Sequence, residues 1–128
     1  PFFFFFFFFR GEQLSWLKNE LEESDQNGEK VILMAHVPIA PGSCTNSCLA
    51  WDYMDILKTI EAHKCVTVVM AGHDHSGGYA FREGIHYLTF PSPLQATETS
   101  PSAHATVQVF QDEIVLECAG LVADKFGG

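Results

Sequence analysis

The sequence predicts an α/β fold: a strand–helix–strand unit followed by antiparallel hairpins. Three observations carry this. Val31–Ala35 (VILMA) and Val66–Ala71 (VTVVMA) are short apolar runs bounded by turn residues, the pattern of strands buried on both faces. Between them lies a stretch with helical apolar spacing, long enough for a crossover between parallel neighbours. Beyond residue 78 the pattern becomes two pairs of short runs, broken at Glu83-Gly84 and Gln111-Asp112, as hairpins are. At 128 residues the length suits roughly one domain.

The elements follow in order. Residues 2–9 are consecutive phenylalanines. They offer no polar face for a strand, no basic residue ahead of them for a secretory leader, and too little length for a bilayer. Phenylalanine codons are all-pyrimidine, so residues 1–10 are expected to be an intron tract read in frame, outside the fold. An upstream part of the protein is then missing, and residues 11–128 are the C-terminal part of one domain. Leu14, Leu17 and Leu21 recur at helical spacing and predict a helix over residues 12–23, ending towards Asn27-Gly28. After the first apolar strand comes a loop with Pro38, Pro41, Gly42 and Asn46. Ser47 is the expected cap of a second helix reaching Ala62, with Met54, Leu57 and Ile60 as its apolar stripe. Its early Asp52 and Asp55 and later Lys58 suit the helix dipole. The second apolar strand, hairpins over 79–82/85–90 and 105–110/114–118, and a Ser/Thr/Pro-rich loop over 91–101 complete the chain.

Composition excludes several functions. Seven Lys and Arg against 16 Asp and Glu give a charge of −9 with histidine neutral. The sequence has no basic cluster to grip a phosphate backbone, so nucleic acid and anionic membrane surfaces are not expected partners. Cys44, Cys48, Cys65 and Cys118 match no zinc ribbon or redox CxxC spacing, and a reducing, cytoplasmic setting is expected.

The chemistry lies at the strand ends. If the two apolar strands are parallel neighbours, their carboxyl ends share one sheet edge about 5 Å apart. His36 follows the first strand and Gly72-His73-Asp74-His75 the second. Ligands of open α/β sheets bind at that edge, and neutral imidazole is the commonest metal-binding side chain. On an extended backbone His73 and His75 stand about 6.5–7 Å apart, a span that suits two ions. Gly72 is expected to make the sharp turn, and Gly77 and Gly78 to leave room for substrate. Asp74 is expected to point away.

Gly72-His73-Asp74-His75 resembles the GHxH motif of calcineurin-like metallophosphoesterases, and Ala35-His36-Val37-Pro38 their isolated-histidine motif. Together with Glu12-Gln13-Leu14-Ser15-Trp16-Leu17, Cys48-Leu49-Ala50-Trp51 and Ser76-Gly77-Gly78-Tyr79, these segments resemble the manganese-dependent ADP-ribose/CDP-alcohol diphosphatases. The resemblance implies the C-terminal part of an α/β/β/α sandwich that hydrolyses the pyrophosphate of ADP-ribose, CDP-choline and related small nucleotide diphosphates. It implies two divalent ions per complete site, Mn2+ first, with Mg2+, Fe or Zn as alternatives. His36 and His73 would bind one and His75 the other, around a water that attacks phosphorus. The family's D-x-H, GD and GNH(D/E) blocks have no counterpart here, so the chain alone is expected to carry about half the site.

Cys48 lies in the loop leading from His36 and is a candidate substrate contact or a small packed residue. Tyr79, like Trp51, could stack on a base or simply pack. Glu98 reads as solvated, and His63, His86 and His104 have no partner visible in the sequence. Two other functions compete: a structural zinc module through His36, Cys44, Cys48 and His73, and a non-catalytic remnant.

Overall fold

The computed structural model describes residues 2–6 and 11–126. Its elements are β1 (Phe2–Phe6), α1 (Gly11–Asn27), β2 (Val31–Ala35), α2 (Tyr53–Glu61), β3 (Val66–Ala71), β4 (Gly78–Arg82), β5 (Ile85–Thr89), β6 (Ala103–Val109), β7 (Ile114–Gly120) and α3 (Leu121–Phe126). Two short 3₁₀ turns, Asn46–Cys48 and Pro93–Gln95, punctuate the loops.

The two apolar runs are adjacent parallel strands, with Leu33 opposite Val69 and Met34 opposite Met70. They sit centrally in a sheet of order β1-β2-β3-β5-β4, with β6 and β7 as a separate hairpin. β4 is antiparallel to β5 and the other pairings in the sheet are parallel. The two faces of the sheet separate by alternation. Val31, Leu33, Val66, Val69, Ile85 and Tyr87 cluster with Leu17, Leu21, Ile56, Leu57 and Ile60 of the helices. Ile32, Val68 and Met70 meet Val107 and Ile114 of the hairpin on the other face. The register slips between Val31 and Ile32, and this irregularity is why Val66 and Val69 share a face although strict alternation would oppose them. Each such buried side chain contributes about 1.5–3 kcal/mol of transfer free energy.

Three expectations are corrected. The phenylalanine run, read as lying outside the fold, supplies an edge strand over Phe2–Phe6, in parallel register from Phe2–Val31 to Phe6–Ala35. The free edge of a buried β2 demands hydrogen-bond partners, and this segment provides them. Helix α1 ends, as expected, at Asn27, followed by a left-handed Gly28. There Gly28 N–H donates to Asp25 and Glu29 N–H to Ser24, a Schellman ending. Helix α2 starts at Tyr53 rather than after Ser47, since Ala50 N–H is held by the Pro38 carbonyl at 2.9 Å. Helix α3 was not expected; Val122 anchors it in the interior and Phe126 packs edge-on against Phe90.

Among the described residues no helix is long and apolar enough to cross a membrane.

Candidate functional site

His36 leaves the carboxyl end of β2 and His73 follows that of β3 by two residues. The Gly72 amide donates to the His36 carbonyl at 3.1 Å, extending the strand pairing by one rung. The two imidazoles meet edge to face, with centroids 5.3 Å apart and planes at 70°. With metal–nitrogen bonds of about 2.1 Å and near-tetrahedral angles, two rings on one ion lie about 5 Å apart. The ring separation matches that expected for two imidazoles on one ion. His75 lines the same cleft of about 370 Å³, together with Phe90, Pro91, Ser92, Pro93 and Ala103. Among the described residues, no group of three or more His, Cys, Asp or Glu side chains converges closely enough to hold an ion by itself.

The Gly72–His75 segment is not extended. His73 is left-handed, at φ +64°, a conformation sparsely populated outside glycine. Asp74 N–H returns to the Gly72 carbonyl at 2.7 Å, and Gly77 N–H to the Asp74 carbonyl at 3.0 Å. The unusual turn therefore falls on His73, one residue after the glycine expected to make it. Nor do Gly77 and Gly78 open space for substrate. A Cβ on Gly77 would lie 2.7 Å from the Thr89 carbonyl oxygen, and one on Gly78 would collide with Ser43. Both glycines allow backbone to press on backbone.

Asp74, expected to face away, is buried and links the two loops of the site. One carboxylate oxygen accepts from the Ser76 hydroxyl at 2.6 Å and the Ser76 amide at 3.1 Å, the other from the Thr45 amide at 2.6 Å. The Ser76 hydroxyl, followed by the Thr45 amide, holds this carboxyl far below the usual carboxylate range because every partner stabilises the charged form. No spacing rule in the sequence announces this residue; its position inside Gly-His-Asp-His was the only signal.

Cys44 and Cys48 flank Thr45 in the same loop. Burial, then the Asp74 and Cys48 charges, push the Cys44 thiol up to about 11. Neither cysteine lines the histidine cleft.

The sequence matches no family model, but individual relatives match it well. The chain is 43% identical over 117 residues to the Mus musculus manganese-dependent ADP-ribose/CDP-alcohol diphosphatase, covering 89% of this chain and 34% of the mouse protein. The Homo sapiens protein of that name is 41% identical, covering 89% and 33%, and the Oryza sativa subsp. japonica protein 34% identical, covering 88% and 35%. The chain is homologous to one third of these diphosphatases. A crystal structure of a dimetal phosphatase from Danio rerio superposes with a TM-score of 0.86 at 32% identity, over 89% of this chain and 36% of that one. The α/β fold expected of the family is therefore present, and the chain spans about one third of the length of the curated relatives it matches.

Two expectations about this diphosphatase homologue change with the structure. Tyr79 does not reach the histidine cleft; it stacks on His86, with its hydroxyl 3.0 Å from His86 Nδ1, in a groove between the sheet and the hairpin. The partners missing from the sequence for His63 and His86 exist in space: Asp25 lies 3.0 Å from His63 Nδ1, and Phe81 packs on His86.

Proposed function

We propose that this chain carries part of a dinuclear metal centre that hydrolyses the pyrophosphate bond of ADP-ribose, CDP-choline and related small nucleotide diphosphates. The observation that carries this reading is the His36–His73 pair, 5.3 Å apart at the carboxyl edge of β2 and β3, in a chain homologous to enzymes named for that activity. His36 and His73 would hold one ion through their imidazole rings, and His75 would hold the other from the same cleft. Divalent ions, manganese first and Mg2+, Fe or Zn as alternatives, supply Lewis acidity and a water acidic enough to act as nucleophile near neutral pH. Asp74, already satisfied by Thr45 and Ser76, is not a free ligand. Cys48 lies on the loop that Asp74 holds but outside the histidine cleft, so its position lends no support to a substrate contact. The remaining two thirds of the relatives' length supplies the other ligands. All four cysteines are free thiols, which fits a reducing cytoplasmic setting.

The structural zinc module finds less support. Neither Cys44 nor Cys48 lines the cleft of His36 and His73, and among the described residues the four side chains it needs do not converge.

The test is hydrolysis of ADP-ribose to AMP and ribose 5-phosphate by this chain joined to the remaining portion of the mouse relative, with and without Mn2+. His36→Ala should abolish turnover, and the 128-residue chain alone should show only background. A joined protein inert on ADP-ribose and CDP-alcohols but active on a phosphomonoester refutes the substrate class. One inert on all of them is the non-catalytic remnant.

A further inference from the structure

Residues 43–48 follow β2 and residues 72–77 follow β3, so nothing in the strand pairing itself holds the two loops together beyond Gly72. Among the described residues, the hydrogen bond that joins them comes from one side chain, that of Asp74. We propose that Asp74 is a positioning residue, whose buried carboxylate clamps the loop after β3 to Thr45 of the loop after β2 and so fixes His73 against His36. The inference deepens the metal-centre reading and rests on it for the purpose of the clamp, but not for its existence.

The chemistry of the partners argues for a carboxylate and nothing else. All three are donors: the Thr45 amide on one oxygen, and the Ser76 amide and hydroxyl on the other. A group with two acceptor oxygens satisfies both arms at once. Asparagine has the same shape, yet its NH₂ would face an N–H or O–H donor on one arm, leaving a buried donor unpaired. The clamp also explains why a histidine tolerates φ +64°. A residue held in a sparsely populated conformation persists when its surroundings over-determine it, and here the next residue is tied at both ends. Asp74 N–H meets the Gly72 carbonyl, its own carbonyl meets Gly77, and its side chain reaches across to the facing loop. The backbone is thus held on either side of His73, at Gly72 and at Asp74.

One arm can be cut cleanly. Thr45 has φ −64°, the value proline imposes, so Thr45→Pro removes the N–H that Asp74 accepts while matching that φ. Asp74→Asn cuts one arm by the opposite route. The experiment compares the wild-type chain with Thr45→Pro, Asp74→Asn and, as a control outside the clamp, Arg82→Lys. Two readouts are taken on each: the NOE between the His36 and His73 rings without metal, and the dissociation constant for Mn2+ added alone. The clamp predicts a lost or strongly weakened NOE in both clamp variants, an unchanged one in Arg82→Lys, and Mn2+ binding weakened by about 10–100-fold, the usual cost of losing a group that orients a ligand. In a His73→Ala background, Asp74→Asn should add no further loss of Mn2+ affinity, a coupling that a merely stabilising residue would not show.

Retention of the inter-ring NOE in Thr45→Pro and Asp74→Asn overturns the proposal, as does unchanged Mn2+ affinity in both. If Asp74→Asn unfolds, Thr45→Pro decides. If the wild-type chain binds no Mn2+, the metal-centre reading loses its support from this chain, and the clamp is still judged by the NOE.

Discussion

Gly78→Ala isolates the close approach that brings the two site loops together. Gly78 opens β4, and its φ is not in the left-handed region, so alanine meets no backbone penalty there and the effect is steric. The added Cβ would lie 2.7 Å from the Ser43 carbonyl carbon and 3.3 Å from the Cys44 nitrogen, and closer still to the Ser43 oxygen. Ordinary contact begins near 3.4 Å, so the 43–45 backbone must retreat by about 0.7 Å or more. Ser43 resists, because its amide and hydroxyl both donate to the Ala40 carbonyl, at 3.1 and 2.8 Å. Overpacking of this kind costs about 1–3 kcal/mol. At about 4 °C per kcal/mol for a chain of this size, the melting point should fall by about 4–12 °C. Gly84→Ala is the contrast. Its φ is +80° with open space around the site, so it should cost about 1–2 kcal/mol through backbone conformation alone. Calorimetry measures both, and amide shifts locate the change. Gly78→Ala should move the Thr45 and Ser76 amides, whereas Gly84→Ala should leave them in place. A Gly78→Ala chain that melts within 0.5 °C of wild type, with those amides unmoved, would show that the two loops are not pressed together as described.

Other outcomes follow from single residues. Burial opposes ionisation of Asp25, but hydrogen bonds led by His63 outweigh it and lower its pKa. The stability this gives is present above the unfolded carboxylate range, near about 4, and is lost as pH falls through the lower folded value. His63→Ala should raise the Asp25 pKa by carboxyl NMR titration; an unmoved titration removes His63 as the cause. Ile56, fully buried among the helix-facing core residues, should cost about 2–5 kcal/mol as alanine, read from the urea midpoint. Cys44, pushed up to about 11, should carry about 100-fold less thiolate at neutral pH than an ordinary thiol and alkylate correspondingly slowly. Labelling at the rate of the urea-unfolded chain would contradict the burial assigned to it.

The central fold and the meeting of His36 with His73 were legible because they rest on patterning. VILMA and VTVVMA are too short for helices and too apolar for a half-exposed strand, so parallel pairing followed, and with it the meeting of His36 and His73. Features that depend on tertiary contact were not legible. Ser47 has the chemistry of a helix cap, yet the Pro38 carbonyl captures Ala50 and delays α2 to Tyr53. Helix α3 is six residues long and has too little local signal; it exists because Val122 and Phe126 find apolar partners. Asp74 looked like a spacer between histidines, since period-two reasoning assumes an extended backbone and the left-handed His73 breaks that assumption. Tyr79 fell three residues after Ser76, but the reversal into antiparallel β4 carries it to the groove shared with His86.

The parallel pairing of β2 and β3 also sets when the site comes into being. A hairpin joins residues that are near neighbours in sequence, whereas residues 36–65 separate the two strands here. Parallel neighbours meet only after the crossover has been closed, so the contact is non-local and forms slowly compared with a helix or a hairpin. The His36–His73 contact and the Gly72 rung beside it require α2 docked and both strands in register. A chain emerging from synthesis therefore has α1, α2 and the β4–β5 hairpin available as local structures before it has the histidine pair. If the pair holds a divalent ion as proposed, capture of that ion waits on the pairing of β2 with β3. Such binding would then stabilise only forms in which these two strands have already paired.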